Sequence, residues 1–288
     1  MAPPVVRGTA AWRYFGDVRD ALLAGQVLVL QVAHPVVAAG VRDHSDYRSD
    51  PWTRLMRTVA SLSIYVYGGT AGAQVEAARL RSLHRTFTGV ADGRRYSALD
   101  PAAYAWVHAT LVKAPVDAQR FFGVCLSEVE LEEYYAQMCG IGRLLGVREQ
   151  DLPPDWAAFE RYYDAMVAGF ATNPTIETLL ETFRTVPKPV EWLPDSWWRS
   201  VQRGQLFLIR ATLPASLRET LGLEWTVADQ RRFERFARCV RVAGAVVPAW
   251  LRTAPMRWVG KLNVWFRAHP RVYRVLARED GPGAKPRF

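Results

Sequence analysis

Along most of the chain, apolar residues recur at intervals of three and four, the period of an amphipathic helix, and Gly and Pro cut this pattern into pieces. Residues 12–23 set Trp12, Phe15, Arg19, Leu22 and Leu23 at helical spacing and stop at Gly25. Residues 26–40 are apolar on all sides, with Pro35 as a kink or a restart. A helix without a polar face is buried, so this is the expected central helix. A polar loop over 42–50 follows, and Asp50-Pro51 reads as an N-cap with a first-turn proline. It opens a helix over 51–66, closed by Gly68-Gly69. Thr70 caps the next helix, which runs to about residue 88. Its stripe Leu80, Leu83, His84, Phe87 follows i, i+3, i+4, i+7 and puts His84 on the buried face.

Asp100-Pro101 repeats the cap-and-proline start, and Tyr104, Val107, His108 and Leu111 share one face of the helix it opens. Residues 116–145 read as one long helix, apolar early and acidic at Glu128, Glu130, Glu132 and Glu133. Further helices are expected near 155–170, 175–184, 196–212, 215–221 and 226–243, and 185–194 is the clearest linker. No repeat of solenoid length is present, and no run alternates well enough to be read as a strand. The fold class is all-α. The expected organisation is a flexible N-terminus (1–10), a helical domain (11–245), an aromatic and basic helical extension (246–280) and a flexible tail (281–288). The extension mixes Trp250, Trp258, Trp265, Phe266 and Tyr273 with Arg252, Arg257, Lys261, Arg267, Arg271 and Arg274. Two readings of it stay open: a helical cap with its tryptophans packed on the domain, or a helix in peripheral contact with an anionic membrane. A homodimer is equally open.

With 288 residues, half of them hydrophobic, the chain can bury a sizeable core, and disorder is excluded for most of it. The formal charge of +9 comes almost wholly from Arg, which favours bidentate anionic partners such as carboxylates and phosphates. No helix-turn-helix, zinc-finger or RNA-binding signature accompanies the charge, so no nucleic-acid partner is expected. Cys125, Cys139 and Cys239 form no Cys-x-x-Cys pair, which excludes a zinc ribbon, a thioredoxin-like site and c-type haem attachment. Scattered thiols fit a reducing cytoplasm. The N-terminus lacks a charged region followed by an apolar run, so no signal peptide is expected. The apolar run over 27–41 is interrupted by Gln31, His34 and Pro35, too broken to span a bilayer. A cytoplasmic protein, at most peripheral at the membrane, is the expectation.

Several familiar sites are absent. No histidine has an acid three residues before it, as a di-iron bundle would need. There is no His-Glu-x-x-His pair, phosphate loop or Gly-x-Ser-x-Gly elbow. Gly140-Ile-Gly142-Arg-Leu-Leu-Gly146 lies at a helix end with the wrong last spacing for a dinucleotide fingerprint, and reads as helix termination. What remains is the stretch from Gln31 to His84, which places three of five histidines and a cluster of cations in apolar surroundings. Each such group costs free energy unless it finds a partner. Arg54 and Thr58 are i, i+4 on one helix, with Arg57 one residue off that face, and together they suit an anionic or oxygen-containing ligand. His84, on an apolar face one helix later, suits an axial metal ligand. Taken alone, His84 also reads as a satisfied core histidine, and Arg54 and Arg57 as partners of Asp46 or Asp50.

Gln31-Val-Ala-His34-Pro35, His44-Ser45, Asp50-Pro51-x2-Arg54-Leu-x-Arg57-Thr58, Tyr67-Gly68, Arg81-x2-His84, Asp100-Pro101 and Trp106-Val-His108-Ala-Thr110-Leu111 occur in that order. The series resembles the family that unites bacterial latex-clearing proteins (rubber oxygenases) with the fungal oxygenase that shortens the prenyl chain of a mycophenolic acid precursor. The resemblance covers about residues 10–240 and is densest over 31–111. It implies a globin-like helical core with additional helices, holding one haem b, with His84 as the proximal iron ligand. It also implies that Arg54 and Thr58 lie close to the haem. Rubber-cleaving relatives carry a lysine as distal ligand just before that threonine. Here the position is Arg57, and guanidinium is a very poor iron ligand.

The implied function is a haem-dependent oxygenase acting with dioxygen on a small or medium apolar molecule, isoprenoid or alkene-like. Arg54, Thr58 and Arg57 are then the candidate catalytic residues. His34, His44 and His108 are candidates for distal or propionate contacts, against the plainer readings of a kinked backbone, a helix cap and a core residue. The alternative is a non-catalytic haem or apolar-ligand binding protein of the same fold.

Overall fold

The computed structural model describes residues 5–269. The expected tail, and the part of the extension beyond residue 269, lie outside the described residues. The fold is all-α apart from one small hairpin. The helices are α1 (Ala10–Tyr14), α2 (Ala24–Ala33), α3 (Pro35–His44), α4 (Pro51–Tyr67), α5 (Gly69–Arg85), α6 (Pro101–Phe122), α7 (Glu128–Leu145) and α8 (Trp156–Ala168). They continue as α9 (Pro174–Thr185), α10 (Asp195–Thr212), α11 (Ala215–Thr220), α12 (Val227–Val246), α13 (Ala249–Arg252) and α14 (Ala254–Ala268).

Local chemistry sets most of these boundaries. Asp50 accepts from the Thr53 amide at the head of α4, and Asp100 from the Ala103 amide at the head of α6, each followed by proline. His34 ends α2 in an extended conformation because a residue before proline avoids the helical region. The apolar stretch therefore turns through 107° at this point. No single helix among the described residues is long and apolar enough to cross a membrane.

Four expectations are corrected. Thr70 does not cap α5, which already starts at Gly69 behind Gly68 and has no side-chain cap. The segment 12–23 is not one helix: Gly16, with φ +76°, separates α1 from a 3-10 turn over Val18–Leu23. The long helix expected over 116–145 is two helices. Ser127 and Glu130 form a reciprocal capping box that starts α7, so the acidic run opens a helix, where negative charge favours the helix dipole. The segment after α5 is a two-stranded antiparallel hairpin, β1 (Thr88–Ala91) and β2 (Arg94–Ser97), with Ala91 opposite Arg94. Asp92 and Gly93 at its tip both have positive φ, as a two-residue turn of the I′ kind requires.

The core lies where α2, α6, α7 and α8 meet. Trp106, Tyr134 and Phe159 are fully buried there. The Trp106 indole donates to the Leu30 carbonyl at 2.8 Å and the Tyr134 hydroxyl to that of Val112 at 3.0 Å, so the polar edges of these rings are satisfied inside the core. A second cluster joins Leu23, Phe122, Leu208 and Phe233. The extension folds back, with α14 against α4. The approach is close because residue 260 is glycine: a Cβ there would meet the Ser63 carbonyl oxygen at 2.7 Å.

A buried ion cluster fixes the return of the extension. Asp17 accepts from Arg19 at 2.8 Å and from Arg252 at 2.9 Å, and its side chain is 2% exposed. Burial alone would raise the Asp17 pKa, but the hydrogen bonds from Arg19 and Arg252 outweigh it and hold the carboxyl below its ordinary value. The contribution is therefore present above the ordinary carboxylate pKa and is lost as pH falls through the depressed value. Asp17→Ala leaves two guanidinium groups without their counter-ion and is expected to cost about 3–5 kcal/mol, measured by urea unfolding at neutral pH. A cost within 1 kcal/mol would show, on the same principle, that the cluster does not hold the extension.

Candidate functional site

A cavity of about 1120 Å³ lies between α3, α4, α5, α6, α7 and α14. It exceeds the range of roughly 300–1,000 Å³ that suits drug-sized ligands. Its walls are mostly apolar, with Val37 and Val41 from α3, Leu62 from α4, Leu80 and Leu83 from α5, and Val107 and Leu111 from α6. Met138 and Ile141 come from α7 and Phe266 from α14. The stripes Leu80–Leu83–His84–Phe87 and Tyr104–Val107–His108–Leu111 both face this space. Helical periodicity marks such faces as inward, but it does not distinguish a packed core from the wall of a cavity.

Of the candidates read from the sequence, Arg54, Arg57, Thr58, His84, His44 and His108 all line this cavity. Asp50 and Pro51 start α4 so that its first two turns run along the opening. Arg54 is half-buried there, and its guanidinium makes no hydrogen bond or ion pair among the described residues. Burial lowers its pKa, partly offset by Tyr47. A guanidinium stays protonated even so, which leaves a desolvated cation facing an apolar space. The Thr58 hydroxyl donates to the Arg54 carbonyl at 3.0 Å, so towards the cavity it offers lone pairs. Arg57 is exposed on the same helix.

His84 projects from the last turn of α5, with Tyr104 edge-on at 5.7 Å and Phe87 at 5.9 Å. Its Nδ1 is buried without a hydrogen-bond partner. Burial, and then the nearby Arg79 charge, lower its pKa, so the neutral imidazole, the form that binds a metal, prevails at neutral pH. His44 is anchored differently. Its ring stacks on Phe87 at 4.9 Å and its Nε2 lies 3.2 Å from the Thr88 carbonyl, which assigns the proton to that nitrogen. It ties α3 to the hairpin at the cavity edge.

His108 is buried, and its Nε2 has no hydrogen-bond partner. A Cβ at residue 142 would lie 2.8 Å from that nitrogen, so only glycine on α7 lets the ring sit there. Burial drives the His108 pKa from 6.5 down to about 4, against a smaller upward pull from the Met138 carbonyl. The unfolded chain then binds a proton that the folded chain refuses between those values. Stability present above pH 6.5 is lost as pH falls towards 4, by up to about 3 kcal/mol. His108→Phe is expected to flatten the stability profile across that window, as measured by urea unfolding at a series of pH values. An unchanged slope would rule out His108 as its source.

His34 is not among the cavity-lining residues. It sits at the bend between α2 and α3, buried, with its ring edge-on to Phe170 at 6.4 Å and Nδ1 unpartnered. Sequence reasoning missed a polar cluster between α4 and α5. Glu76 is fully buried and accepts from Arg79 at 2.7 Å and from the Ser61 hydroxyl, and Ser61 and Arg79 line the cavity. Its only sequence signal is the i, i+3 spacing of Glu76 and Arg79, which more often marks a surface ion pair. Gln31 also reaches the lining, donating to the Thr110 hydroxyl at 3.0 Å.

Among the described residues no three His, Cys, Asp or Glu side chains gather as a metal site would need. A haem does not require such a group, because the macrocycle supplies most of the ligands and the protein adds one axial imidazole. His84, the Arg54 guanidinium, which has no partner among the described residues, and the apolar walls fit such a group. An apolar helical cavity lined by His44, His84 and His108 and by a half-buried cation is the kind of site found in cofactor-dependent helical proteins. The chain belongs to the family described as "ER-bound oxygenase mpaB/B'/Rubber oxygenase, catalytic domain", whose model matches residues 12–242. It therefore carries an oxygenase catalytic domain. Two relatives, the uncharacterized proteins Mb2261 of Mycobacterium bovis and Rv2237 of Mycobacterium tuberculosis, are each 28% identical over 259 residues. Those matches cover 86% of this chain and 97% of each relative. No solved structure matches the chain.

Proposed function

We propose that the cavity takes a haem b, with His84 as its axial ligand, and that the chain oxidises a small or medium apolar molecule, isoprenoid or alkene-like, with dioxygen. One observation carries this reading: the His84 imidazole and the half-buried Arg54 guanidinium, which has no side-chain partner among the described residues, line a single large apolar cavity. Both are costly unless a ligand completes them. An anionic macrocycle with a central metal completes both at once.

Haem supplies the iron at which dioxygen is activated, and the protein supplies orientation and a dry environment. Arg54 pairs with a carboxylate of the cofactor or with negative charge that develops beside it. Thr58, held by its bond to the Arg54 carbonyl, accepts a hydrogen bond from water or a protonated group. Leu62, Leu80, Leu111 and Ile141 surround an apolar substrate and exclude water from it. Arg57 stands where a lysine would offer a free amine. Since guanidinium stays protonated, it acts through charge and not as an iron ligand. The three cysteines are free, which supports a reducing, cytoplasmic setting.

The test is oxygen uptake by haem-loaded protein against a panel of prenyl alcohols and other alkenes, with products identified by mass. Consumption coupled to an oxygenated or cleaved alkene is expected. Haem and dioxygen binding without turnover of any alkene would favour the non-catalytic alternative, a haem or apolar-ligand carrier or sensor.

A further inference from the structure

The helix that closes the cavity has two apolar faces. The inner face of α14 meets α4 through Gly260, and its Asn263 and Phe266 line the cavity. A helix packed this way on a soluble protein normally turns charged residues outward. Here the outward positions hold Trp258 (71% exposed), Leu262 (51%) and Trp265 (46%), with Lys261 among them. Trp250 and Val246, at the approach to the helix, are exposed too. Trp258, Leu262 and Trp265, at i, i+4 and i+7 on one edge of α14, form a larger apolar surface than solubility alone would favour.

The charge around this edge has one sign. Residues 235–269 include six Arg and one Lys and no Asp or Glu. Arg252 is committed to Asp17, while Arg241 and Lys261 remain on the surface. Indole rings settle at the boundary between hydrocarbon and water. Lysine extends its stem along apolar surface and keeps its ammonium group wet. Exposed indoles interleaved with cations that have no acidic partner among the described residues match an anionic lipid surface.

We propose that the outer face of α13 and α14 docks peripherally on an anionic lipid bilayer. The indoles of Trp258 and Trp265 enter the headgroup boundary, and Lys261 contacts anionic headgroups. Docking brings the cavity within one helix of the lipid, a short path for an apolar molecule dissolved there. The proposal stands independently of the cofactor assignment.

The test is flotation of the full chain with vesicles of phosphatidylcholine alone or mixed with phosphatidylglycerol. Binding is expected to the mixed vesicles only and to weaken as salt is raised. W258S/L262S/W265S is expected to lower partitioning more than about tenfold, because three large apolar side chains leave the interface. K261E is expected to weaken binding to the mixed vesicles while leaving the helical circular-dichroism signal unchanged. Failure of the wild-type chain to float with the mixed vesicles would overturn the proposal, as would equal flotation of both variants. Should the triple variant not fold, flotation of K261E that matches the wild type and ignores salt would overturn it equally. A wild-type dimer in solution that W258S/L262S/W265S converts to monomer, with no vesicle binding, would instead make this face an interface between copies of the chain.

Discussion

His84→Ala is expected to abolish stable haem binding, lowering affinity by more than about a hundredfold, given that even outer-sphere partners of metal ligands are worth 10–100-fold. The fold should survive the change. His84 sits at a cavity wall with Nδ1 unpartnered, so no protein hydrogen bond to that nitrogen is lost. Removing a desolvated, unsatisfied polar group should shift stability by no more than about 1 kcal/mol. The readouts are the Soret band after reconstitution and the far-ultraviolet circular-dichroism melt. Loss of the band with an unchanged melt supports ligation by His84. A wild-type Soret band in the variant removes His84 from the iron. Collapse of the melt would make it a core histidine.

Arg54→Ala separates function from stability by sign. Arg54 is half-buried and unpaired among the described residues, so the haem-free protein carries the desolvation cost of that charge without return. The variant is therefore expected to melt about 2–4 °C higher when haem-free, corresponding to roughly 1 kcal/mol. The same substitution should weaken haem retention and lower oxygenase activity at least about tenfold, because a charge-assisted contact to the ligand is lost. Arg54→Lys should recover part of the binding but not the bidentate geometry. A haem-free variant that melts well below the wild type would show that Arg54 serves a structural ion pair, and the cavity assignment would lose its main support. Thermal melts of both forms, with and without haem, distinguish the cases.

Much of this site is written in spacing. Asp50-Pro51 fixes the start of α4, and from there the interval from Arg54 to Thr58 determines which face meets the cavity. The stripe through His84 and the one through His108 point inward for the same reason. Other features are tertiary. Glu76 and Arg79 read as a surface pair, yet α5 packs Glu76 against Ser61 of α4, which buries the carboxylate and sets Arg79 and Ser61 in the cavity wall. Met138 and Ile141 reach the cavity through the packing of α7, which no local pattern encodes. His34 shows the opposite case. A candidate for a distal or propionate contact by its place among the histidines of an apolar stretch, it stands at the bend before Pro35 with its ring edge-on to Phe170. The hairpin was hidden by short arms with weak alternation, although Asp92-Gly93 carried the turn signal. The split of α6 from α7 is hidden because the acidic run continues one long helical pattern, while it is in fact the first turn of a new helix behind the Ser127 cap.

The measurement closest to the central claim is a haem titration of the full wild-type chain, followed by its visible spectrum and by iron content after gel filtration. One haem per chain is predicted, with a Soret band that shifts on reduction and again on exposure to carbon monoxide. A chain that emerges without stoichiometric haem, or with a spectrum matching free haem, would contradict the account.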